Sequence, residues 1–153
     1  MSEAPLTRVL HHLLALWDSA PPPAYIMNKA NAHIALCVGH SRRINGHPEG
    51  GAVSHDGKTN EWNHNLPLAV LIRARLKQHG IRATIISEYQ GGSYDSAQRW
   101  LAGHLKSLGI THAIELHFNS SDTPAATGHE WLHHHASARG RSLAAALSRE
   151  VSA

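Results

Sequence analysis

Between residues 33 and 118, three short apolar runs alternate with two long segments of helical spacing, and this alternation limits the fold more than any other feature of the chain. The runs are HIALCV (33–38), RATIIS (82–87) and THAIELHF (111–118). Each has the length and apolar content of a buried strand. Between them, EWNHNLPLAVLIRARLKQH (61–79) and a stretch from Asp95 to Leu108 repeat apolar residues at helical spacing, with Gly80 and Gly109 placed as C-terminal stops. Pro67 is expected either to fall within the first turns or to kink its helix. Strands separated by helices must pair through crossovers, so the expected class is α/β: a single domain with a largely parallel or mixed sheet and helices on both faces. GHEWLHH (128–134) reads as a further strand and residues 138–151 as a closing helix. Upstream, LTRVLHHLLALW (6–17) has helical spacing and SAPPPA is a stiff linker. The expected division is therefore an N-terminal helix and Pro-rich linker over residues 1–30, then a folded domain over 31–153.

A length of 153 residues suits one hydrophobic core. The lone cysteine, Cys37, lies in an apolar run and reads as a buried thiol without a disulfide partner. No apolar run approaches the roughly 20 residues of a membrane span. The acidic start, without a small-residue cleavage pattern, points to synthesis in a cytoplasm with no signal peptide. A formal charge of +3 is ordinary for this size and does not argue for nucleic acid, although it favours approach to an anionic polymer such as cell wall. A monomer is expected. The unusual count is 15 histidines, which directs attention to metal ligation.

Ligands of open α/β sheets gather at the carboxyl ends of the strands. That rule groups His40, just past the first strand, Glu61, opening a helix, and His117, ending a central strand. Two histidines and a carboxylate form a three-ligand zinc set with a fourth position open, the arrangement of hydrolytic sites. The polar, Gly-rich loop from Gly39 to about Asn60 is too long for an ordinary connection. It is expected to line a cleft and to add little to the core.

Taken in order, Gly39 and His40 after a strand, Glu61 opening a helix with Asn65 and Leu66 following, Arg99, and His117 with Asn119 resemble the zinc-dependent N-acetylmuramoyl-L-alanine amidases of the amidase-3 type. The similarity covers roughly residues 33 to 150. It implies a peptidoglycan hydrolase that cleaves the amide between N-acetylmuramic acid and L-alanine with a zinc-activated water, in a setting such as a phage lysin released at lysis. Two departures stand out. The gap from His40 to Glu61 is longer than the family's, which makes Glu49 a rival ligand. The family's catalytic glutamate lies on a strand after the last helix, and this chain stops at Ala153 before such a strand. Glu115 stands where the family has serine, two positions before His117 and on the same face of an extended chain. It is therefore expected to act as general base, with Glu130 the second candidate. His133, His134 and His135 read as solvated surface groups in preference to a second metal site. His47, His55 and His64 either line the cleft or decorate the loop. Trp62 and Trp131 read as packing residues more than sugar platforms, and Asn119 either bonds near the metal or ends the strand. The competing functions are a non-catalytic zinc-containing wall-binding module and another zinc peptidase or amidohydrolase.

Overall fold

A computed structural model describes residues 27–44, 46–118 and 128–151. These fall into two units, 27–118 and 128–151. Most of the segment expected to form an N-terminal helix and linker lies outside the described residues, as does Asn119.

In the first unit, β1 (His33–Cys37), β4 (Arg82–Ile86) and β5 (His112–Glu115) form a three-stranded sheet in the order β4-β1-β5. Both pairings are parallel, with His33 opposite Arg82 and Cys37 opposite both Ile86 and Glu115. The ladder continues one step past the strands, where Val38 N–H donates to the Ile86 carbonyl at 2.9 Å and Leu116 N–H to the Cys37 carbonyl at 2.8 Å. Central β1 is buried at every position, as a strand covered on both faces must be.

Alternate residues of β1 belong to different cores. Ile34, Leu36 and Val38 pack with Ala69, Leu66, Ile72 and Leu76 of helix α1 (Glu61–Gln78). Ala35 and Cys37 pack with Ala97, Leu101, Trp100 and Leu105 of α2 (Tyr94–Ser107). The two crossover helices thus lie on opposite faces, which gives the α/β class read from the sequence. Asn60 caps α1 by accepting from Asn63 N–H at 2.8 Å. Ser93 and Ser96 form a reciprocal capping box at the start of α2. The first helix runs through Pro67 without interruption.

The loop after β1 is more ordered than expected. It contains a short antiparallel pair, β2 (Arg43–Ile44) with β3 (His47–Pro48), and a bridge between Val53 and Asn60.

In the second unit, α3 (Ala138–Val151) forms where the closing helix was expected. The strand expected at 128–134 does not form: those residues have no regular secondary structure. Leu132 is 78% exposed and most of its neighbours are also exposed, so the segment has no buried face to impose a period of two.

Candidate functional site

The site begins with a change in direction of the chain. From β1 it passes to α1 on one face, and it returns to β5 from α2 on the other. The carboxyl ends of β1 and β5 are therefore the switch point at which such sheets bind ligands.

Gly39 carries the chain over the end of β5. Its φ is +90°, and a Cβ there would collide with the Leu116 carbonyl oxygen and crowd the His117 ring. Its N–H donates to Tyr89 Oη at 3.1 Å. The next residue, His40, is thereby delivered beside His117, the two rings lying 5.3 Å apart at 84°.

Glu61 joins the two histidines. As the first residue of α1 it occupies a position that favours a carboxylate, but the helix dipole alone does not explain a glutamate only 3% exposed. Its Oε1 accepts from His117 Nδ1 at 2.8 Å and from Phe118 N–H at 3.0 Å. Its Oε2 accepts from Ala52 N–H at 2.9 Å and lies 3.5 Å from His40 Nε2. One ligand atom from each of His40, Glu61 and His117 falls within 4.8 Å of the others. No other such group of three exists among the described residues.

Glu49, the rival ligand, lies outside this triad. Its Oε1 is 2.5 Å from His40 Nδ1, the nitrogen turned away from Glu61, and its Oε2 accepts from Ser41 N–H at 2.9 Å. The segment from Glu49 to Ala52 therefore encloses the site from outside. Gly51 makes the enclosure sterically feasible: at φ +74° it passes so close that a Cβ would stand 2.5 Å from both Glu61 Oε2 and His40 Cδ2. Four residues of the loop, Glu49 to Ala52, thus form part of the site's scaffold.

Glu115 lies on the other side of His117. Its Oε1 accepts from Tyr89 Oη at 3.0 Å and Gln98 Nε2 at 3.2 Å, and lies 3.7 Å from His117 Nε2. Burial works to raise the Glu115 pKa, but hydrogen bonds from His117, Gln98 and Tyr89 outweigh it and hold the carboxyl below its usual range. Reciprocally, the bond to Glu115 raises the His117 pKa, opposed by burial and supported by Glu61. Three carboxylates thus surround two imidazoles, an arrangement that favours a cation between them. Burial, then the Glu115 charge, push the Cys37 thiol up to about 12, which removes it as a nucleophile.

Asn65 was part of the sequence pattern without an assigned role. It is 3% exposed on the inward stripe of α1, one turn beyond Glu61, and its Nδ2 donates to the Leu116 carbonyl at 2.8 Å. Tyr89 and Gln98 were not identified from the sequence at all. The available signal for Tyr89 was its place in the polar segment just past the end of β4, at the same edge of the sheet as the other loops.

Among the remaining candidates, His47, His55 and His64 are exposed, and the His64 and Phe118 rings form a T-shaped pair with centroids 5.7 Å apart. Trp62 packs in the α1 core and donates from Nε1 to the Ser87 carbonyl at 2.8 Å, as a packing residue should. Arg99 is exposed on α2. Glu130, Trp131 and the exposed His133, His134 and His135 belong to the second unit.

A family model described as N-acetylmuramoyl-L-alanine amidase matches residues 34–153. The chain belongs to this amidase family. No curated protein and no solved structure matches the chain. The amidase match spans the residues from β1 through α3, so it includes all three members of the triad, and it supports a peptidoglycan amidase activity. For the amidase, the donor set fits a divalent ion of the zinc type: two imidazole nitrogens and a carboxylate, the latter held by two backbone N–H groups.

Proposed function

We propose that this chain is a zinc-dependent N-acetylmuramoyl-L-alanine amidase, hydrolysing the amide between the lactyl group of N-acetylmuramic acid and L-alanine in peptidoglycan. The observation that carries the reading is the meeting of His40, Glu61 and His117 at the switch point of a chain from this family. Zinc, when bound, polarises the amide carbonyl and makes water acidic enough to attack near neutral pH. His40, Glu61 and His117 hold the ion, and His117, with its side chain 36% exposed, leaves one side open to substrate.

Glu115 takes the proton of the attacking water and passes it to the alanine nitrogen as the carbon–nitrogen bond breaks. Two features support this role. Hydrogen bonding keeps the carboxylate ionised, and both the Tyr89 and the Gln98 bond go to Oε1, while Oε2 carries no hydrogen bond among the described residues. Glu130 remains the second candidate. A second reading of Glu115 rests on its position at His117 Nε2, the nitrogen opposite the one that meets Glu61. There it would orient the ring, and its replacement would weaken metal binding before it slowed turnover.

The test is incubation of the full chain with purified peptidoglycan, with and without a chelator, followed by mass spectrometry of the soluble products. Peptides with a free N-terminal alanine, lost on chelation and restored by zinc, are expected. Wall binding with zinc retained but no cleavage would favour a non-catalytic module, and cleavage at another bond a different zinc peptidase.

A further inference from the structure

We propose that Glu49 is a positioning residue that fixes the tautomer of His40, so that Nε2 presents a lone pair to the ion. The inference rests on the zinc reading above for its functional meaning, but its structural content can be tested without metal. A neutral imidazole carries its proton on one nitrogen only, and the other nitrogen alone can bind a metal. At His40 the two nitrogens face different groups. Nδ1 meets Glu49 Oε1 at 2.5 Å, while Nε2 points toward Glu61 Oε2 and the rest of the triad. Both nitrogens face a carboxylate, which only accepts, but the hydrogen bond is made at Nδ1, 2.5 Å from Glu49, and not at Nε2, 3.5 Å from Glu61 Oε2, so the proton belongs on Nδ1.

The carboxylate is itself held in place. Glu49 Oε2 accepts from Ser41 N–H at 2.9 Å, and the Glu49 N–H donates to the Arg42 carbonyl at 3.1 Å. The following residues are tied to the start of α1, with Trp62 N–H donating to the Gly50 carbonyl at 3.0 Å and Glu61 N–H to the Ala52 carbonyl at 2.9 Å. Glu49 is therefore anchored at its backbone, at its second oxygen and through its neighbours. The loop between His40 and Glu61 supplies this residue, returning to the site with the group that orients the first ligand. Ser41 and His40 meet different oxygens of Glu49, and a glutamine replaces one of these with a donating nitrogen, so it cannot accept at both positions.

The test has two parts. In metal-free protein at pH 8, long-range proton–nitrogen correlation spectra should show the His40 proton on Nδ1; a proton on Nε2 overturns the proposal whatever any variant does. In the Glu49→Gln variant, zinc affinity measured by competition with a chromogenic chelator should fall about 10- to 100-fold, with Glu49→Asp recovering part of the loss. Wild-type affinity in a folded Glu49→Gln protein also overturns it. If the wild-type chain itself fails to bind zinc, the zinc reading fails instead, while the tautomer measurement still decides the role of Glu49.

Discussion

The Asn65 side-chain amide donates to the Leu116 carbonyl oxygen 2.8 Å away, tying the second turn of α1 to the residue immediately before His117. Its Nδ2 also lies 3.5 Å from the Val38 carbonyl oxygen at the end of β1. One buried amide thus joins the three elements that supply the triad. Replacing Asn65 with alanine leaves the Leu116 carbonyl without this donor and should cost about 1–3 kcal/mol of stability. It should also weaken zinc binding, because helix and strand ends lose their common tie. Urea unfolding of the metal-free protein together with a zinc titration checks both, and an unchanged zinc affinity would contradict the tie.

Gly51→Ala places a methyl group against Glu61 and His40 at a backbone angle that L-residues rarely adopt. The backbone strain alone is worth about 1–3 kcal/mol. Displacement of the ligands should reduce zinc affinity by about tenfold or more. Gly57→Ala is the control: it also has positive φ, at +68°, but nothing lies within 4 Å of its added Cβ. It should lose stability while keeping zinc affinity, and equal losses of affinity in the two variants would refute the steric account.

Glu115→Gln and Glu130→Gln separate the candidate bases. The first should retain its fold and lose roughly a hundredfold or more in turnover, as removal of a general base does. If zinc affinity falls and turnover at saturating zinc does not, Glu115 orients His117 and the proton acceptor lies elsewhere. Near-normal turnover with near-normal zinc affinity would remove Glu115 from the mechanism altogether.

The fold was legible wherever one element carried its own signal. IALCV (34–38) is apolar throughout because β1 is covered by a helix on each face, and the stops after α1 and α2 are glycines of positive φ. The triad was legible because strand ends and helix starts meet at a known edge of such a sheet. GHEWLHH misled because local alternation resembles a strand, whereas a strand also needs a partner and a buried face. The contacts of Tyr89 and Gln98 were hidden for a related reason. Each is defined by a bond to a residue on another element, the Tyr89–Glu115 and Gln98–Glu115 contacts spanning 26 and 17 positions of the chain. Periodicity carries no information about such pairs.

His33 gives the chain a pH dependence remote from the triad. It lies at the opposite end of β1, 5% exposed, with Nε2 2.8 Å from Thr84 Oγ1. Burial first, then the Arg82 charge, lower its pKa from the ordinary 6.5. Below that value the unfolded chain binds the proton more readily than the folded one. The contribution is therefore complete above about pH 6.5 and is lost as the pH falls through the folded-state pKa. His33→Gln should flatten this part of the stability profile in metal-free urea melts between pH 7.5 and 5. An identical slope in wild type and variant would count against it.

The ladder steps at Val38 and Leu116 fix the reach of two ligands more firmly than any loop could. His40 and His117 follow adjacent parallel strands, whose separation is set by backbone hydrogen bonds at about 4.8 Å. Warming the protein does not gradually spread these two attachment points, because the sheet either holds or opens. No separate melting transition is therefore expected at the centre, and release of bound zinc on heating should coincide with loss of the sheet.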